Sequence, residues 1–318
     1  MKHTILLALT LALTACYENF NPRVDASPVL CLNSLITPGE PIAVSVTHTW
    51  IYNDPAGQAD HSVSDAELSL YANGESVEPD YIPAQGDEIR IVAVSPTFGR
   101  AEATVTVPVA LPVARAELTA DVLDCGIDSA DPHLYANFNI RVELTIDDRA
   151  DSSDYFSLNY GSWTFGEPYT LFTPGNLNYQ AEPIFREHIG VFESIFADED
   201  PGNAMVFSDK QFAGRSYTLR LHFDNAYFMT PPVVSAEDLP DCELTFYLST
   251  LSRSYYDRAI YVWQRENGTI DDMADLGFAE PSWGYSNVST GAGVVAARST
   301  SRVTLSLRPI LQSIFPLR

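Results

Sequence analysis

The residue best placed for covalent chemistry in this sequence is Cys16. It closes the segment Leu13-Thr14-Ala15-Cys16, a branched side chain, two small ones and then a thiol. Small side chains beside a scissile bond are what a signal peptidase needs. A cysteine at that point is the nucleophile that takes diacylglycerol. Upstream, Lys2 gives a short positive start, and Ile5 to Leu13 is an apolar run broken only by Thr10. That run is far short of the roughly 20 apolar residues a spanning helix needs, and it fits the apolar region of an export signal. An ordinary signal with a chance cysteine is the alternative; four fitting positions at once favour acylation. Residues 1–15 are therefore expected to be a lipoprotein-type signal peptide and residues 16–26 a lipidated tether. A second acyl chain turns marginal attachment into stable anchoring, so the membrane is the first expected partner.

The other reactive groups are less telling. Cys31, Cys125 and Cys242 are the cysteines beyond the leader. Cys31 lies in an apolar run and reads as a buried thiol. Cys125 and Cys242 each follow an aspartate at a strand edge, and in an oxidising compartment they either bridge or stay free. No CxxC or histidine–cysteine cluster suggests zinc. Asp147, Asp148, Asp151 and Asp154 form one acidic cluster and Asp198, Glu199 and Asp200 another. Calcium favours such loops, but neither cluster has EF-hand spacing, and solvated loop charge accounts for both. There is no GxSxG elbow, HExxH pair or Walker loop. Gly291-Ala292-Gly293 opens a strand and reads as a tight turn. A carboxylate pair of the glycosidase kind is not promoted by any spacing. The expectation is a protein without catalysis, cofactor or metal; a hydrolase with an unrecognised site is the third-ranked reading.

Aromatic residues are more suggestive. Trp163, Phe165, Tyr169, Phe172 and Tyr179 crowd a loop-rich stretch, and aromatic loops on a β scaffold bind sugar rings or partner proteins. The competing reading is a loop folded over its own small core. A formal charge of −24, with Lys210 the only lysine after Lys2, leaves no basic stripe for DNA or RNA. It also means repulsion from anionic lipid heads, so the lipid must supply the anchoring.

The elements that would hold these residues are mostly strands. Ile42, Val44 and Val46 alternate with small or polar residues, as do Leu68 and Leu70, and Ala103, Val105 and Val107; Glu88 to Ser95 is another strand. Pro38-Gly39, Asn73-Gly74 and Phe98-Gly99 supply turns between them. This is the pattern of an immunoglobulin-like β-sandwich over 27–112, ending in a proline-rich linker. Residues 113–318 read as a larger β-rich domain. Its expected strands include 116–123, 135–146, 154–160, 216–223, 243–250, 293–298 and 302–308. Tyr256, Ala259, Ile260 and Trp263 fall on one face of a helix over 253–266, capped by Ser252 or Ser254. The fold class is all-β with one helix.

Five segments, in order, resemble a known family. They are PVLCLNSLITPGEP at 28–41, Ser64-Asp65-Ala66, FSDKQF at 207–212 with Gly214, LSRSYYD at 251–257, and Asn287 with Gly291-Ala292-Gly293-Val294. The chain is similar to the lipoproteins of Bacteroidota grouped as domain of unknown function 4249. Cys31 departs from the aliphatic residue expected there. The resemblance implies an outer-membrane lipoprotein, often encoded beside a TonB-dependent transporter, and it implies no catalytic residues. The expected role is an accessory subunit of such a transporter or similar barrel; a surface glycan- or peptide-binding lipoprotein is the alternative. The early acidic residue in Tyr17-Glu18-Asn19 is similar to signals that send such lipoproteins to the cell surface rather than the periplasmic face.

Overall fold

A computed structural model describes residues 27–50, 61–128, 133–150, 152–164, 170–178, 181–187, 205–233, 235–267 and 284–315. Strands dominate, as the alternation predicts, in three sheets. Numbered in chain order, the six-stranded sheet runs β12 (Val206–Ser208), β9 (Tyr155–Thr164), β14 (Cys242–Leu251), β15 (Ala292–Ser306), β1 (Leu30–Ile36) and β2 (Ser45–His48). The four-stranded sheet runs β4 (Glu75–Val77), β3 (Glu67–Ala72), β5 (Glu88–Ser95) and β6 (Gly99–Thr106). The five-stranded sheet runs β10 (Leu171–Thr173), β13 (Ser216–Thr230), β8 (Leu134–Asp147) and β7 (Val113–Ile127), with β11 (Asn176–Leu177) also on β13.

Period two decides which face of each strand is buried. Along β8 the inward residues are Leu134, Ala136, Phe138, Ile140, Val142, Leu144 and Ile146, while Arg141 and Glu143 face water. That face forms one core with β9, β13 and β14. A second core lies between the four-stranded sheet and β1, and it draws Val288, Val295 and Ala297 from the far end of the chain.

β15 joins the two. Residues 292–297 pair in parallel with 31–36 of β1, and residues 298–306 pair antiparallel with β14. The sequence predicts two strands with a break near 299–301; the structure has one continuous strand. Its polar centre is satisfied in place. Ser299 donates to the carbonyl of Pro108, Ser301 to that of Leu111 at 2.9 Å, and Thr300 meets Ser249 at 2.7 Å. The 107–113 linker is thereby fixed along the strand. Gly291 and Gly293 permit the parallel approach. Gly293 has φ +111°, and a Cβ there would sit 2.1 Å from the carbonyl oxygen of Leu32.

Helix α1 (Arg253–Asn267) forms as expected. Ser252 caps it, its hydroxyl accepting the Tyr255 N–H at 3.3 Å. A second, shorter helix, α2 (Arg308–Ile314), stands where the alternation predicts the last strand to end. Pro309 in its first turn favours helix, and Leu307, Leu311 and Phe315 plug the larger core. Among the described residues no helix is long and apolar enough to cross a membrane.

Replacing Gly293 by Ala should lower the unfolding free energy by about 2–4 kcal/mol, since it adds a left-handed φ to a collision with backbone. The urea midpoint measures this. An unchanged midpoint would mean that β1 and β15 do not pair as described.

Candidate functional site

Helix α1 is fixed to the outer face of the six-stranded sheet along one side. The Ser252 hydroxyl accepts the Ala297 N–H at 3.0 Å and the Ser254 hydroxyl donates to the Val295 carbonyl at 2.9 Å. Tyr256 packs with Val206 and Leu251 and donates to Glu187 at 2.8 Å. Burial and the Glu187 carboxylate hold the Tyr256 hydroxyl well above its ordinary pKa, so it remains a donor.

The helix's other side stands away from β1 and the segment entering β2, and a groove of about 1010 Å³ lies between them. Tyr255, Ala259, Val262 and Trp263 line the helix wall; Leu35, Val44, Val294 and Ala296 line the sheet side. Arg258 and Glu266 supply charge among these apolar residues. Tyr255 to Glu266 is twelve residues, about 16 Å of helix from first Cα to last. Binding sites for small molecules occupy about 300–1,000 Å³, so this groove is large enough for an extended apolar group with one polar end. Leu35 is 45% exposed within it, an unusual setting for leucine in a sheet centre.

A smaller hollow of about 520 Å³ lies on the outer face of the five-stranded sheet, among Ile127, His133, Tyr135, Asn137, Tyr227 and Met229. Tyrosine rings beside amide and imidazole groups can stack on and hydrogen-bond a sugar.

The third feature is a carboxylate cluster. Asp148, Asp154 and Asp209 present oxygens within 4.8 Å of one another. Arg149 pairs with Asp154 at 2.7 Å, and Ser152 donates to Asp154 at 2.6 Å. The Asp154 N–H donates to Asp209 and the Gly214 N–H to Asp148, both at 2.8 Å. Asp148 Oδ1 is buried without a hydrogen-bond partner. Oxygens of this kind can hold a hard cation. Here one arginine, one hydroxyl and two amides already engage them, and the arrangement clasps the starts of β9 and β13 together. The sequence pointed to Asp148 and Asp154 but not to Asp209, which arrives from 55 residues away inside FSDKQF. Asp147 instead meets Ser216 at the edge of the sheet. Asp151, Asp198, Glu199 and Asp200 lie outside the described residues.

Other expected sites fall differently. Cys16 precedes the described residues. Phe172 is a correction: it is 5% exposed in β10, opposite Phe228, and belongs to the larger core rather than to a ligand loop. Trp163 lies in β9 opposite Glu243, while Phe165, Tyr169 and Tyr179 lie outside the described residues. The Cys125–Cys242 bridge is not formed. Cys125 is exposed on β7, whereas Cys242 is buried in β14, in a different sheet. Burial, aided by Asp241, pushes the Cys242 thiol up to about 12, so it persists as an unreactive core thiol.

Asp209 yields a prediction. Burial first, and then the charges of Asp148 and Asp154, hold it above its ordinary value of 3.8. An acid whose pKa rises on folding supports the fold below its unfolded pKa, and that support is lost as pH rises through the folded value. Asp209→Asn keeps an oxygen for the Asp154 N–H and removes the buried charge. Its thermal midpoint at pH 7 should exceed wild type by roughly 2–4 °C, about 1 kcal/mol for a body of this size. The gain should vanish below the carboxylate range. A lower midpoint at pH 7 would show that the charge is used.

No curated protein and no solved structure matches this chain. One family profile does. Its match covers residues 17–304, beginning just after Cys16, taking in the smaller core, the groove and most of the larger core, and ending within β15. The resemblance to domain of unknown function 4249 is thus borne out, and the chain belongs to the family described as "Domain of unknown function (DUF4249)".

Proposed function

We propose that this protein is a lipid-anchored, non-enzymatic accessory subunit of an outer-membrane β-barrel, of the TonB-dependent transporter kind, displayed on the cell surface. The observation that carries this reading is the Leu13-Thr14-Ala15-Cys16 lipobox, followed by only 13 residues before β1 begins at Leu30. Lipid on Cys16 would hold the folded body beside whatever barrel shares its membrane, raising their effective concentration. The groove beside α1 supports a docking role. It is apolar, preformed and bordered by charge, as binding surfaces with few moving parts are. The transporter itself comes from what the family resemblance implies.

A free-standing glycan binder is the second reading, favoured by Tyr135 and Tyr227 beside His133 and Asn137 on the outer sheet face. Mild-detergent extraction and affinity purification separate the two. The first expects a barrel protein in stoichiometric amount, and Val262→Glu in the groove should reduce its recovery at least tenfold with an unchanged unfolding midpoint. Recovery of the lipoprotein alone, binding a purified glycan tightly, would overturn it in favour of the second.

The anchor has its own test. Cys16→Ser should abolish incorporation of a labelled fatty acid and leave the leader uncut by the lipoprotein peptidase. Label on the variant would sink the lipobox reading.

A further inference from the structure

The chain enters the smaller sandwich at a defined point. The Val29 N–H donates to the Thr49 hydroxyl at 3.0 Å, and the Thr49 N–H donates to the Val29 carbonyl at 2.9 Å. One residue on, Trp50 is 51% exposed. It is not a loose side chain. Its indole lies flat on His61, centroids 4.1 Å apart and planes 3° from parallel. His61 meets His48 edge-on at 5.0 Å, and His48 stacks on Phe98 at 4.6 Å. The His48 N–H donates to the His61 carbonyl at 3.1 Å, tying the stack to the backbone. A tryptophan is thus held rigid, half in solvent, beside the point where the tether joins the fold.

Charge distinguishes this end of the sandwich from the other. At the opposite end, around Pro83 and Asn73-Gly74, Glu40, Glu75, Glu78, Asp80 and Glu88 are all exposed. At the tether end, among the described residues, the exposed acids are Asp65, which accepts from Ser95 and Thr97, and Glu67, while Arg90 and Arg100 both pair with Glu102. Anionic lipid heads would repel the first end, with five exposed acids, more strongly than the second, with two.

We propose that the Trp50 end of the smaller sandwich rests on the phospholipid surface, with the Trp50 indole in the headgroup layer. This rests on the lipid anchor at Cys16. Twelve residues separate Cys16 from Val29. They reach at most about 45 Å even when fully extended. The tether joins the fold at the Val29–Thr49 end, which is thus the end nearer the anchor along the chain. Tryptophan favours the interface because its ring is apolar and its N–H polar. Prior stacking on His61 removes most of the ordering cost of insertion.

The test uses the full lipidated protein in phosphatidylcholine vesicles carrying lipids with a nitroxide near the headgroup. Tryptophan fluorescence is compared between wild type and Trp50→Phe, with unfolding midpoints checked. A third protein carries Ile82→Trp, at the acidic end, in the Trp50→Phe background. Loss of at least half of the quenchable signal in Trp50→Phe, without recovery on adding Ile82→Trp, is the expected result. Equal quenching in wild type and Trp50→Phe, or strong quenching restored by Ile82→Trp, overturns the orientation while leaving the anchor intact. Mass measurement of the same samples reads the anchor separately: no acyl mass on Cys16 overturns the anchor, and the orientation with it.

Discussion

Everything in this fold depends on how β15 spends its backbone hydrogen bonds. A strand in the middle of a structure must satisfy donors and acceptors on both edges. β15 does so with different partners along its length. Its first half bonds β1 on one edge; on the other, Asn287, Ser252 and Ser254 present side-chain donors and acceptors to Val295 and Ala297. Its second half bonds β14, while hydroxyls of Ser299 and Ser301 reach the 108–111 linker. The same strand therefore closes both cores, fixes the linker between them and seats the cap of α1. The groove is a by-product: α1 is held to β15 by its N-terminal serines, and its far side is left standing over the exposed face of β1.

Carboxylates stitch the larger body in a similar way. Glu182, 2% exposed, accepts from the Tyr217 hydroxyl at 2.6 Å and the Arg220 N–H at 2.7 Å. Glu187 accepts from the Ser208 N–H at 2.6 Å and from Tyr256. Burial first, and then the hydrogen bond to Glu182 and its charge, hold the Tyr217 phenol above its ordinary value, so it remains a donor. An excess of acid in the composition is therefore partly structural, and these groups use tyrosines and amides where lysine is scarce.

Local signals in the sequence were legible where a single strand or helix decides its own fate. Glu88–Ser95 alternates cleanly and forms β5 as read, and α1 begins at the residue after its serine cap. What escaped were facts settled by distant partners. Ser299-Thr300-Ser301 resembles a break until Pro108, Leu111 and Ser249 are seen to bond it. Phe172 resembles a ligand-loop aromatic until Phe228 is opposite. Asp209 has no neighbour in sequence to mark it as Asp154's partner. The groove was illegible for the same reason, since its walls come from residues more than two hundred positions apart.

The parallel pairing of β1 with β15 also bears on the order in which the molecule is made. Asn33 accepts the N–H of Val294, 261 residues later. During synthesis the N-terminal end arrives first, yet its sheet lacks a central strand until almost the whole chain has followed. The smaller sandwich cannot complete itself domain by domain, and its exposed edge must be shielded meanwhile. Contacts of such separation slow folding because the loop must close before they form. Truncation near the C-terminus would consequently be felt at the opposite end of the gene product, in the strands nearest the N-terminus.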